Sequence, residues 1–212
     1  MRIIAVSTAL LVLATSSLSA QRLVENRNAR EGFWIGLGVG AGSAGLDFAC
    51  CRSTRSTGPS GYVRLGGTVS QNVLIGGETG GWTYSENGAT YMIGAASAVV
   101  LWYPDRTGAF YLKVGLGALH YGASDHWRPS VPVAVVDVFF PFYGEAEVHA
   151  LAAYGSFGLG YEFRVGRNTS INAFLNGLAS TAAKLEVSDV SQPSSQNIKV
   201  NLVQVGVGLT WH

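Results

Sequence analysis

From Gly32 to Trp211 apolar residues alternate, position by position, with glycine or polar ones over most of the chain. A two-residue period puts the two kinds on opposite faces of a β-strand. In the first run Phe33, Ile35, Leu37, Val39 and Ala41 share one face, and Gly36, Gly38 and Gly40 share the other. The runs number eight, at 32–42, 60–70, 73–84, 89–103, 109–121, 151–165, 169–183 and 199–211. Each is long enough to cross a bilayer as a tilted strand, which needs about 9–11 residues.

The charges obey the same period. With faces assigned from apolar residues alone, Arg64, Lys113, Glu162 and Arg164 all fall opposite the apolar face. Arg64 and Glu78 are equidistant from Gln71, the centre of a short turn. A tight hairpin therefore sets them opposite each other and turns Glu78 inward as well. Buried charges need partners, so these five residues predict a salt-bridge network inside a narrow lumen. Runs 73–84 and 89–103 lack clear alternation and take their faces from pairing.

Composition narrows the alternatives. Charged residues are 13% and hydrophobic ones 48%, the reverse of a disordered chain. Beyond the N-terminus no uninterrupted run of 18 apolar residues exists, which excludes a bundle of spanning helices. Residues 1–20 carry Arg2, an apolar stretch and Ser16–Ala20 with small residues, the pattern of a signal peptide. Without Arg2 the Lys and Arg fall from 14 to 13 and balance the 13 Asp and Glu. A neutral chain has no electrostatic footprint for nucleic acid. Residues 21–31 read as a short polar lead on the periplasmic side, and 32–212 as one barrel domain.

Connections alternate in length. Ser70–Asn72, Pro104–Thr107 and Gly166–Asn168 are short turns, whereas 43–59, 122–150 and 184–198 are long and 85–88 is intermediate. Short turns at one end and long loops at the other are the plan of an outer-membrane barrel. Aromatics concentrate at run ends. Trp34, Trp102, Tyr103, Phe110, Phe163 and Trp211 lie near the short turns, and Trp82 near the long loops. Two girdles at the headgroup levels have this layout. The expected fold is all-β, an eight-stranded antiparallel up-and-down transmembrane β-barrel.

With this architecture and the closing run VNLVQVGVGLTWH, the chain resembles the small eight-stranded outer-membrane barrels of Gram-negative bacteria, of the OmpA/OmpX type. The resemblance implies lodging in outer-membrane lipid. It also implies assembly by the barrel-assembly machinery, which reads the C-terminal strand. Members of that family usually end in an aromatic residue; here Trp211 is penultimate and His212 last.

Sites of other kinds fail on inspection. Gly40–Gly45 fits a dinucleotide-loop pattern, but no amphipathic helix or later acid accompanies it. Ser124-Asp125-His126 are consecutive and cannot easily line up as nucleophile, base and orienter. Cys50 and Cys51 are adjacent, either free or joined in a vicinal disulfide, and have no further ligands for zinc. No catalytic residue, metal or cofactor is expected. Residues 131–143, VPVAVVDVFFPFY, form an apolar stretch inside the third long loop, marking 122–150 as the surface for an extracellular partner. Prolines oppose its folding as two further interior strands. The reading is a non-enzymatic envelope or surface-interaction protein with a charge-plugged lumen. The alternatives are a narrow conduit for small or hydrophobic molecules and, less favoured, a lipid-A-modifying enzyme.

Overall fold

The computed structural model describes residues 30–48, 55–124, 148–184, 186–187 and 197–212. Eight long strands form one antiparallel sheet: β1 (Phe33–Phe48), β2 (Ser56–Ser70), β3 (Val73–Glu86), β4 (Ala89–Trp102), β5 (Phe110–Ser124), β6 (Val148–Arg164), β7 (Thr169–Ser180) and β10 (Asn197–Trp211). Two-residue strands β8 (Ala183–Lys184) and β9 (Glu186–Val187) pair with β10 and β6. Each long strand pairs with its sequence neighbour, and β1 pairs with β10. That last pairing closes the sheet into a barrel, which leaves no open edge.

The register sets the shape. Trp34 leads through paired residues Gly66, Gly76, Val99, Gly115, Ser156, Leu178 and Leu202 to Ala44, ten residues further along β1. With eight strands this stagger corresponds to a strand tilt of about 40°. Rows of paired residues therefore climb from the short-turn end toward the long-loop end.

Strands and sequence runs agree closely at the short-turn end. At the other end the strands run further: β1 reaches Phe48, β2 begins at Ser56, β5 reaches Ser124 and β6 begins at Val148. The ladder continues there because pairing goes on beyond the alternating apolar stretch, as at Asp47↔Lys199 and Gly45↔Asn201. The loops expected at 43–59 and 122–150 are thus shorter than their sequence bounds, and β7 stops at Ser180 rather than at 183. The β3–β4 connection is a two-residue turn, Asn87-Gly88, with φ of 52° and 90°. Positive φ at both positions matches the right-handed twist of a hairpin and suits Asn-Gly. Cys50, Cys51 and the apolar stretch 131–143 lie outside the described residues, as does the leader 1–20.

The wall has two contrasting faces. Outside, Val39, Leu116, Leu151, Val205 and Val207 are more than half exposed. Inside, Arg64, Lys113, Glu162, Asn172 and Thr210 are buried. A soluble protein places these groups the other way round.

Candidate functional site

The interior is the candidate site, and it is layered along the barrel axis. At the short-turn end Arg30, just ahead of β1, folds under the barrel. Its backbone N–H donates to Gln71 Oε1 at 3.0 Å. Its guanidinium donates to the carbonyls of Arg106 at 3.1 Å and Gly108 at 2.6 Å. The same group lies 3.6 Å from the centre of the Tyr103 ring and 3.9 Å from Glu162 Oε2. Glu162 Oε1 accepts the Tyr103 hydroxyl proton at 2.8 Å, and its Oε2 is 3.6 Å from His212 Nε2. The His212 backbone N–H donates to Asn168 O at 3.0 Å. Both ends of the described barrel are thereby tied into one basal cluster. Trp34, Leu74, Val99, Leu101, Tyr103 and Tyr111 pack together beside it.

In the middle layer Arg64 and Glu78 are paired across β2 and β3. Their side chains, however, take other partners. Arg64 Nη2 donates to the hydroxyls of Tyr62 and, at 3.0 Å, Tyr111. Glu78 Oε1 receives Lys113 Nζ at 2.5 Å, from two strands away. In place of an Arg64–Glu78 bridge, two phenols meet the planar guanidinium and the flexible ammonium reaches the carboxylate. The Arg64 guanidinium also stacks at 4.3 Å on the Tyr62 ring. From Tyr62 the network continues to Asn172 Oδ1 at 3.1 Å and from Asn172 Nδ2 to Thr210 Oγ1 at 3.0 Å. A cavity of about 20 Å³ beside Lys113, bounded by Tyr62, Asn176, Gln204 and Leu202, has room for about one water. Arg164 stands at the short-turn end of β6, opposite Ser170.

The layer nearest the long loops is apolar. Trp82, Ile93, Leu119, Tyr121, Tyr154, Ile198 and Leu202 belong to one buried cluster. The sequence points to a charge-plugged lumen. A hydrocarbon layer fills this end as well, because β4 is apolar on both faces and its inner residues Ile93 and Ala95 meet Leu119 and Tyr121 of β5.

Three aromatics expected on the girdles are inside. Trp34, Trp82 and Tyr103 are 1%, 3% and 0% exposed. Strand parity is the reason: Phe33 and Trp34 are neighbours and cannot share a face, and Phe33 takes the outside. The same holds for Trp102 and Tyr103, with Trp102 outside. The Trp82 indole N–H donates to Gly42 O at 2.9 Å, which satisfies its polar atom in the interior. Phe110 and Phe163 are exposed on the outer face, and Trp211 continues the outward row of Val207 and Leu209.

Sequence reasoning missed Arg30, Tyr62, Tyr111, Asn172 and His212. Tyr62 and Tyr111 were discoverable, since each lies two positions from an inward charge. Arg30 precedes the alternating pattern and His212 follows it, so neither carries a periodic signal. Among the described residues no group of three or more His, Cys, Asp or Glu side chains is placed to hold a metal ion.

No protein-family model matches the chain, and no curated protein does. Among solved structures it is similar to the attachment invasion locus protein Ail of Yersinia pestis, at 14% identity and a TM-score of 0.48, covering 85% of this chain and 99% of that one. It is also similar to Neisserial surface protein A, at 12% identity and a TM-score of 0.49, covering 85% and 96%. A third is a major outer membrane protein of Thermus thermophilus, at 12% identity and a TM-score of 0.44, covering 84% and 98%. The architecture stated above rests on the strand pairing itself.

Proposed function

We propose that this chain is a non-enzymatic barrel of the bacterial outer membrane whose closed interior serves to hold a rigid wall, and whose working surface is the long-loop end. The observation that carries the reading is the inverted wall: Leu116 is 75% exposed on the outside while Arg64 and Lys113 are each 1% exposed within. An apolar belt of this extent suits hydrocarbon, and an eight-stranded interior is just wide enough for side chains to fill. The short turns then face the periplasm and the outward aromatics Trp102, Phe110 and Phe163 sit at that interface. Residues 1–20 would direct export, and the strand ending at Trp211 would be presented to the barrel-assembly machinery. Residues 122–150 would contact the extracellular partner.

The test is single-channel recording from the refolded chain in a planar bilayer, using preparations that migrate as a compact band before boiling. The expected result is a compact band and no discrete openings. Reproducible openings from folded protein would instead support the conduit reading. A chain that never reaches the compact form in lipid or detergent would remove the membrane reading altogether.

A further inference from the structure

The outer wall carries a groove of about 960 Å³, at the upper end of the roughly 300–1,000 Å³ of ordinary ligand pockets. Its course follows the register. One row of paired outward residues runs Ile75, Val100, Val114, Phe157, Gly177, Val203 from β3 to β10. All six line the groove. The next row contributes Ala98, Gly155 and Ala179 around the protruding Leu116. Small residues there keep the floor low. A Cβ at Gly177 would meet nothing nearer than the Phe157 carbonyl, at 3.9 Å.

Five interstrand steps make the row about 24 Å long. With the strand tilt it climbs about 15 Å toward the long loops. That is half of a ~30 Å hydrocarbon core, the depth of one leaflet.

Just beyond the upper end of the groove the wall carries charge. Beyond Val203 the same row reaches Ser43, and beyond Ala179 its neighbour reaches Asn201. The exposed Arg55 guanidinium lies across these two residues. Its Nε donates to Ser43 Oγ at 3.1 Å, its Nη2 to Ser43 O and its Nη1 to Asn201 Oδ1. Three of its five N–H groups are thus used to hold it flat, and two are left to donate outward. Lys199 stands two residues from Asn201 on the same face and is exposed, with Asp47 opposite it in the ladder.

We infer that this groove binds a phosphate-bearing membrane lipid, with an acyl chain along the Ile75–Val203 row and the phosphate at Arg55, assisted by Lys199. The inference rests on the membrane reading above. Charge complementarity at one end only, in line with an apolar channel one leaflet deep, matches an anionic amphiphile better than an apolar protein surface. The chain fills the groove and the guanidinium fixes the headgroup.

The test is native mass spectrometry of the folded chain released from detergent, with phosphatidylglycerol and phosphatidylcholine of identical acyl chains as probes. The wild-type chain is expected to retain phosphatidylglycerol preferentially. Arg55→Gln should weaken phosphatidylglycerol about fivefold, as expected for one basic side chain near a lipid phosphate, and phosphatidylcholine by less, because choline compensates its phosphate charge. Gly177→Leu should weaken both lipids. Equal retention of the two lipids by the wild type, or unchanged phosphatidylglycerol binding in Arg55→Gln, overturns the site. Should Gly177→Leu fail to fold, the exposed Arg55→Gln decides alone. Failure of the wild-type chain to fold in detergent removes the membrane reading and this site with it, and the unboiled gel band distinguishes that outcome.

Discussion

Lys113 Nζ and Glu78 Oε1 meet at 2.5 Å in the middle of the barrel, joining β5 to β3 across the inner side of β4. Both side chains are largely shielded from water, at 1% and 11% exposure. A buried pair of this kind adds little over a well-packed apolar pair, but breaking it leaves one charge uncompensated.

Glu78→Gln is therefore expected to lower stability by about 3–5 kcal/mol. The double variant Glu78→Met/Lys113→Met should recover most of that loss. Urea titrations of the compact band measure both. Conductance should stay silent in Glu78→Gln, since the apolar layer around Trp82, Ile93 and Leu119 remains in place above the pair. Openings in this variant would show that the ion pair, rather than the hydrocarbon layer, closes the barrel.

Arg30 ties the β4–β5 turn to the barrel base through the carbonyls of Arg106 and Gly108. Arg30→Ala should cost about 1–3 kcal/mol, the range for losing hydrogen bonds from a charged donor. Hydrogen exchange should rise first in residues 104–109. Arg30→Lys should rescue only part of the effect, because an ammonium cannot span both carbonyls as the guanidinium fork does. Unchanged exchange in Arg30→Ala would mean that the turn is held by its own bonds, such as Gly108 N–H to Asp105 O.

Much of this fold is legible in the sequence because one rule acts everywhere: period 2 sorts every strand residue in or out. It places Arg64, Lys113 and Glu162 in the interior from apolar neighbours alone. It also implies that Trp34 faces inward, but clustering of aromatics at strand ends suggested the opposite. Parity is the stronger constraint, since backbone pairing fixes side while clustering only indicates height. Register explains why Arg64 faces Glu78, yet side-chain reach decides that Lys113 takes the carboxylate. That choice depends on Tyr62 and Tyr111 meeting Arg64 from two different strands. Trp211 keeps its outward place, and His212 turns in toward Glu162.

Asp105 sits in the β4–β5 turn, where its Oδ1 accepts the Thr107 backbone N–H at 3.0 Å and the Thr107 hydroxyl at 3.1 Å. These bonds, the backbone one foremost, hold its carboxyl below the ordinary value of 3.8. A depressed folded-state pKa adds stability that is present above the ordinary value. That stability disappears as pH falls through the lower folded value. Asp105→Asn should accordingly lower the neutral-pH urea midpoint, by the stability that the ionised carboxyl supplies, and flatten its fall below about pH 3.8. An acid limb as steep as that of the wild type would show that other carboxylates govern it.

Gly160 and Gly38 make room for the two phenols that surround Arg64. A Cβ on Gly160 would overlap the Tyr111 ring, and one on Gly38 the Tyr62 ring. These rings are held by hydrogen bonds to Arg64 and cannot swing away without unpairing a buried cation. Gly160→Val should therefore abolish the compact band or lower stability by several kcal/mol, combining overpacking with loss of the Arg64 partner. Gly67 is the control, because a Cβ there meets nothing within 4 Å. Gly67→Ala should be neutral or stabilising by up to about 1 kcal/mol through reduced freedom of the unfolded chain. Equal tolerance of both substitutions would mean that the phenols do not need their present positions, and the Arg64 network would lose its role in holding the interior rigid.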